Sequence, residues 1–263
     1  MKKIPEVSIF VKDIPFILQE FVDLLGGNDF FKERLSKKHR FFAVYQFYFQ
    51  NINRDWDGLN IPGGFLFDIN IIAHFVLVLK KILKDASSLQ SKPLMCFFKT
   101  DLIDTLWAEA QIACEYLKRG CIIKWPSIFS KDPPDLEIYD PQSKVDIDVE
   151  VKIKESDGTV DSMFNSLSKG LQSLKRRKKN KDKPAIIAVH NKEDLGWEDW
   201  LTNNEVIKRL KSRLENQEYK IVSGIIFSGG SRLKCSENSK QTGTRYLAYT
   251  SLVANYKLPE GFL

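Results

Sequence analysis

The chain has 263 residues, 43% of them apolar and 12% aromatic, and carries a net charge of +6. This is enough apolar material for one large packed core or two small ones, which excludes a disordered chain. Cys96, Cys114, Cys121 and Cys235 form no CxxC pair, and His39, His74 and His190 lie far apart, which argues against a zinc centre or a disulfide framework. Any metal would then be a hard ion held by oxygen.

Met1-Lys2-Lys3 opens like a secretion signal, but Pro5, Glu6, Lys12 and Asp13 leave no uninterrupted apolar core. The most apolar run, Ile69 to Leu79, is short for a bilayer and contains Asn70 and His74. The expectation is a soluble cytoplasmic protein, with monomer and homodimer both left open. Residues 1–97 read as a helical, aromatic-rich N-terminal region whose role is not legible. Helices are expected from Ile14 to Leu25, stopped by Gly26-Gly27, from Phe30 to about Asn51, and from a cap at Asp68 to Leu83. Their aromatics are assigned to the interior, the commonest use of such side chains.

Residues 98–263 read as a second domain. Its first helix should run from Thr100 or Asp101 to Arg119 and stop at Gly120. At about 100° per residue, Glu109 falls on the same face as Leu102, Leu106, Ala110, Ala113 and Leu117, where a carboxylate either needs a partner or sits at the edge of the stripe and reaches water. Leu136, Ile138 and Tyr139 suggest a short strand. From Val145 to Ile153 apolar and charged residues alternate strictly, as in a half-buried strand whose polar face carries Asp148, Glu150 and Lys152. Asp140-Pro141-Gln142-Ser143 supplies the turn between the two strands. A hairpin closing symmetrically about Gln142 and Ser143 pairs residues whose numbers sum to 285, and so sets Asp135 opposite Glu150. Two carboxylates and a lysine then meet at one place. Like charges on neighbouring strands repel unless they share a cation, whereas on an ordinary solvated sheet face the same residues would be harmless.

The net charge is concentrated beyond the hairpin. Residues 160–183 hold eight Lys or Arg against two Asp, a surplus equal to that of the whole chain. Lys169, Lys175, Arg176, Arg177, Lys178 and Lys179 could grip a polyanionic backbone; as a solvated helix end they would need no partner. The helix carrying them, Ser162 to about Lys178, shows its apolar stripe at Met163, Leu167, Leu171 and Leu174. Ala185 to Val189 reads as a buried strand, Trp197 to about Glu218 as a helix, and Ile221 to Phe227 and Tyr246 to Tyr249 as strands. The fold class is therefore α/β, with the order α-β-β-α-β from residue 100 to 190.

Pro134-Asp135, fourteen residues, then Glu150-Val151-Lys152 resembles the PD-(D/E)xK motif of the restriction-endonuclease-like nuclease superfamily. The resemblance covers roughly residues 98–250 and implies that family's mixed sheet flanked by helices, with a further strand before the Pro-Asp strand that Cys121 to Trp125 can supply, giving the core order α-β-β-β-α-β. It also implies Mg²⁺-dependent phosphodiester hydrolysis, with Mn²⁺ able to substitute, on nucleic acid and on DNA more than RNA, in restriction, repair or defence. On this resemblance Asp135 and Glu150, with the Val151 carbonyl, would hold the metal, and Lys152 would orient water and offset developing charge. Glu109 would complete a second metal position or hold Lys152, and Gln172, with Lys169, would lie near the scissile phosphate. The alternative is a catalytically inactive nucleic-acid-binding or scaffolding module with the same fold.

Overall fold

The computed structural model describes residues 11–85, 98, 103–126, 134–154, 159–177, 182–191, 203–231, 234–236, 239–241, 244–251 and 254–263. The chain divides into two compact units, one of Glu6–Cys114 with Ser231–Gly243, the other mainly of Glu115–Gly230 with Thr244–Leu263.

The first unit is helical. Helix α1 (Ile14–Leu24) starts with Pro15 in its first turn and stops where Gly26 and Gly27 adopt φ of 114° and 89°, a left-handed backbone that costs glycine little. Gly27 N–H donates to the Val22 carbonyl at 2.9 Å, closing the last turn. The single helix expected from Phe30 to Asn51 is instead two, α2 (Asn28–Arg34) and α3 (Phe42–Gln50). The break is made by Leu35 turning extended and by a turn in which His39 Nδ1 accepts the Phe41 N–H. Helix α4 (Gly63–Asp85) begins five residues before Asp68, so Asp68 is not its cap. Its carboxylate instead accepts from Arg40 at 2.7 Å, and the same guanidinium reaches Asp104 on α5 (Ile103–Lys118). The apolar run read as short for a bilayer lies inside this longer helix, whose Gly63–Lys81 segment is long and apolar enough to cross a membrane by length and composition. More than half of that segment is buried within the protein, and Phe75 stacks on Phe21 of α1 at 6.0 Å. Phe31, Phe41 and Tyr45 surround the same ring, so these aromatics form the unit's core.

The second unit is built on a six-stranded mixed sheet in the order β1-β2-β3-β4-β5-β8, which makes the protein α/β. Its strands are β1 (Ile122–Lys124), β2 (Leu136–Asp140), β3 (Val145–Lys154), β4 (Ala185–Asn191), β5 (Gly224–Ser231) and β8 (Thr244–Thr250); β6 (Lys234–Ser236) and β7 (Ser239–Gln241) form a separate ribbon that belongs to the first unit. β1 to β3 run antiparallel, and β3 to β5 parallel. A parallel pair needs a crossover, which α6 (Val160–Arg176) provides between β3 and β4. The order α5-β1-β2-β3-α6-β4 follows the pattern read from the sequence.

Asp140 makes the turn: its carboxylate accepts from Gln142 N–H and Ser143 Oγ, its carbonyl accepts from Lys144 N–H, and Lys144 takes φ of 59°. The resulting register runs from Asp140↔Val145 to Leu136↔Val149, the symmetric closure that the turn residues imply. Across β3 and β4, Asp148 pairs with Ala185, Glu150 with Ile187 and Lys152 with Val189, so these six side chains share one face of the sheet.

That face is not the solvated one expected from the alternation. Helices α6 and α7 (Asn204–Glu215) cover it, with Met163, Leu167, Leu171, Val206 and Leu210 packed against Ile187, Val189, Ile225 and Phe227. Each such apolar side chain contributes roughly 1.5–3 kcal/mol on burial. Thr159 caps α6 by accepting the Ser162 N–H, and Gly170 lets the helix lie close to β4. A Cβ at position 170 would sit 2.7 Å from Ile187 Cγ2. Gly170→Ala is therefore expected to lower stability by about 1–3 kcal/mol in urea unfolding, despite alanine's better helix propensity. The cost should shrink in an Ile187→Ala background; an equal cost in both backgrounds would mean the contact is not responsible.

Candidate functional site

The register that folds the hairpin also assembles a charged cluster. Asp135 sits at the foot of β2, and its Oδ2 accepts the Val151 N–H at 2.6 Å. Glu150 projects from β3 beneath α6, with 1% of its side chain exposed. Lys152, two residues along the same strand, bonds Glu150 Oε1 and lies 3.8 Å from Asp135 Oδ2. From the opposite side Arg177, the residue that terminates α6, forms an ion pair with Glu150 Oε2 through Nη1 and reaches within 4.0 Å of Asp135 Oδ1 through Nη2. Two carboxylates and two cations thus form a closed, half-buried quartet.

Burial, and then the charge of Glu150, push the Asp135 carboxyl up to about 6, against the opposing pull of Lys152, the Val151 N–H and Arg177. A second cluster lies along the same sheet face. Asp148, fully buried, pairs with Lys183 at 2.5 Å, and Lys183 also lies 4.0 Å from Glu137, which Lys124 approaches from β1 at 3.8 Å. Burial raises the Asp148 carboxyl too, with Lys183 pulling it down. Asp148 thus shares the face of Glu150 but has its own cation.

The remaining expected site residues among the described ones lie on α5 and α6. Glu109 is buried on α5, as its place on the apolar face implies, and belongs to the first unit, whereas the quartet is built from the second alone. Gln172 and Lys169 are exposed on α6. Lys175 pairs with Glu218 at 3.0 Å, and Arg176 is exposed. Lys178 and Lys179 lie outside the described residues. Arg177 was grouped with the basic run, but its partners are the carboxylates. The sequence held a signal for this: the buried stripe Leu167, Leu171, Leu174 continues three residues on at 177. Lys183 was likewise missed, although it extends the alternating row Ala185, Ile187, Val189 backwards by one step.

No family model and no curated protein sequence matches the chain. Whatever the quartet does must be argued from its own chemistry.

Among the described residues, no group of three or more His, Cys, Asp or Glu side chains is placed to hold a metal ion. Magnesium, however, is commonly bound through one or two carboxylates completed by waters and substrate phosphate oxygens. Asp135 and Glu150 are such a pair, brought together by the Val151 N–H and by Lys152 on β3. The donor set fits a hard divalent cation.

The raised Asp135 carboxyl has a measurable consequence. In the unfolded chain Asp135 ionises near pH 4, in the folded protein near 6, so between these values the folded state holds the extra proton. Ionising Asp135 therefore costs stability as pH rises through that window, and the cost is fully present above it. In metal-free buffer at pH 8, Asp135→Asn should raise unfolding stability by about 1–3 kcal/mol, and the gain should vanish by about pH 4. The carboxamide oxygen can still accept the Val151 N–H. A gain that is independent of pH, or a loss at pH 8, would contradict this reading.

Proposed function

We propose that this protein is a metal-dependent nuclease of restriction-endonuclease-like fold, hydrolysing phosphodiester bonds in nucleic acid, DNA more readily than RNA, in a restriction, repair or defence role. The observation that carries the proposal is the convergence of Asp135, Glu150 and Lys152 at one place on the sheet. The order α5-β1-β2-β3-α6-β4 and the basic surplus within residues 160–183 support it.

Asp135 and Glu150, with the Val151 carbonyl, would hold Mg²⁺ or Mn²⁺. A bound cation of this kind activates water and stabilises charge on phosphate oxygens. The Val151 N–H fixes the orientation of the Asp135 carboxylate, so the site is partly preorganised by the β3 backbone. Lys152, on the same strand, can orient a water molecule and offset negative charge developing on phosphorus-bound oxygens. Exposed Lys169 and Arg176 on α6 can contact the phosphate backbone, which would orient the substrate without reading its sequence.

One observation favours a second reading, a binding or scaffolding module without catalysis: Lys152 and Arg177 already neutralise both carboxylates. The readings separate in a cleavage panel of single-stranded, duplex and branched DNA and RNA with Mg²⁺ or Mn²⁺, and Lys152→Ala as control. The nuclease reading expects metal-dependent cleavage of at least one substrate by wild type. Binding without cleavage of any of them would leave the module reading.

A further inference from the structure

The quartet distributes its four carboxylate oxygens unevenly. Asp135 Oδ2 is held twice, by the Val151 N–H at 2.6 Å and by Lys152 Nζ at 3.8 Å, and Glu150 Oε1 is held by Lys152. Val151 and Lys152 are both on β3, so these contacts are anchored to the centre of the sheet. The other two oxygens, Asp135 Oδ1 and Glu150 Oε2, are the ones that face Arg177. A cation shared by the two carboxylates needs an oxygen from each, and the pair not committed to β3 is the pair that the guanidinium covers.

Arg177 is also the one member of the quartet that comes from the end of a helix. It follows the last residue of α6, with φ −79° and ψ 88°, and its long side chain rather than its backbone spans the distance to the carboxylates. Resting on the nuclease reading, we propose that Arg177 is a resident counter-ion that occupies the metal position between Asp135 and Glu150 and is displaced when a divalent cation binds. Once displaced, its guanidinium stands beside the site with its planar fork of donors free, the geometry that engages phosphate oxygens in pairs. Arg177 is then a positioning residue with two successive partners: it keeps the carboxylates paired in the metal-free protein and offers phosphate a contact in the loaded one. The arrangement makes metal and substrate binding mutually supportive, because a phosphate that captures the guanidinium removes the metal's competitor.

The test is Mn²⁺ titration of the full chain by calorimetry, without nucleic acid, for wild type, Arg177→Met and Arg177→Lys, with folding followed by circular dichroism. Arg177→Met should tighten Mn²⁺ binding by about tenfold or more, the scale on which removing one competing partner of a buried ion pair moves an equilibrium. Arg177→Lys keeps a charge but has a shorter side chain and a single nitrogen in place of the guanidinium fork, and should shift affinity in the same direction by less. If Arg177→Met folds only when Mn²⁺ is present, that too supports the proposal, because the metal then replaces the counter-ion. Equal Mn²⁺ affinity in wild type and Arg177→Lys, or weaker affinity in either variant, overturns the displacement while leaving the nuclease reading in place. No Mn²⁺ binding by any of the three overturns both.

Discussion

Lys152→Ala and Asp135→Asn should each lower metal-dependent cleavage by on the order of 10²-fold or more, since a charge stabiliser in a preorganised site typically contributes about 3 kcal/mol or more to the transition state. The two losses differ in kind. Lys152 touches both carboxylates, so its removal deprives developing phosphate charge of a cation and also leaves Glu150 with one fewer partner. Some loss of stability should accompany Lys152→Ala, which Arg177, still paired with Glu150, limits. Asp135→Asn removes a metal ligand but relieves charge crowding, so the variant should be more stable and less active at the same pH. Binding of nucleic acid in metal-free buffer should be retained by Asp135→Asn, because one negative charge has left the neighbourhood of the phosphate. Kinetics under saturating substrate, alongside urea unfolding of each variant, check the whole pattern. An Asp135→Asn protein that cleaves as fast as wild type would remove Asp135 from the chemistry.

Replacing Lys183 should be the most destabilising single change in the second cluster. Asp148 is fully buried, and Lys183 is the cation that compensates it, at 2.5 Å. Removing one member of a buried pair typically costs about 3–5 kcal/mol, because the remaining charge is stranded in a low-dielectric environment. Lys183→Ala should therefore unfold at markedly lower urea concentration at pH 7.5. Burial already holds the Asp148 carboxyl above its ordinary value, and losing Lys183 raises it further. Protonation then relieves the penalty, so the defect should be full above the raised folded value and shrink as pH falls towards about 4, where the unfolded chain also takes up the proton. Lys183→Met combined with Asp148→Asn should recover most of the loss, since no charge is left to strand. A defect of the same size at pH 4 and pH 7.5 would show that Lys183 acts by packing and not by charge.

The hairpin was legible because two local signals agree. The strict alternation from Val145 to Ile153 fixes which side chains share a face, and the turn formers at Asp140–Ser143 fix the register, so Asp135 and Glu150 could be placed together from residue spacing alone. What covers that face was not legible. Alternation of charge with apolar residues reads as one wet face, but α6 packs over this one and buries Asp148 and Glu150, a tertiary effect with no local signature. The counter-ions follow from it: Arg177 and Lys183 are drawn inward because buried carboxylates need them, and in the sequence they merge with a run of basic residues. The break between α2 and α3 was hidden for a similar reason, since the aromatic run Phe41 to Phe49 outweighs the weak turn signal of Ser36 to His39.

The central claim is that Asp135 and Glu150 share a divalent cation, and anomalous diffraction from crystals of the wild-type protein grown with Mn²⁺ tests it most directly. The account predicts one strong anomalous peak within coordinating distance of both carboxylates, with the Arg177 side chain withdrawn from Glu150, and no peak in Asp135→Asn crystals grown alike. A wild-type map with no peak there, and with Arg177 still paired with Glu150 at saturating Mn²⁺, would contradict it.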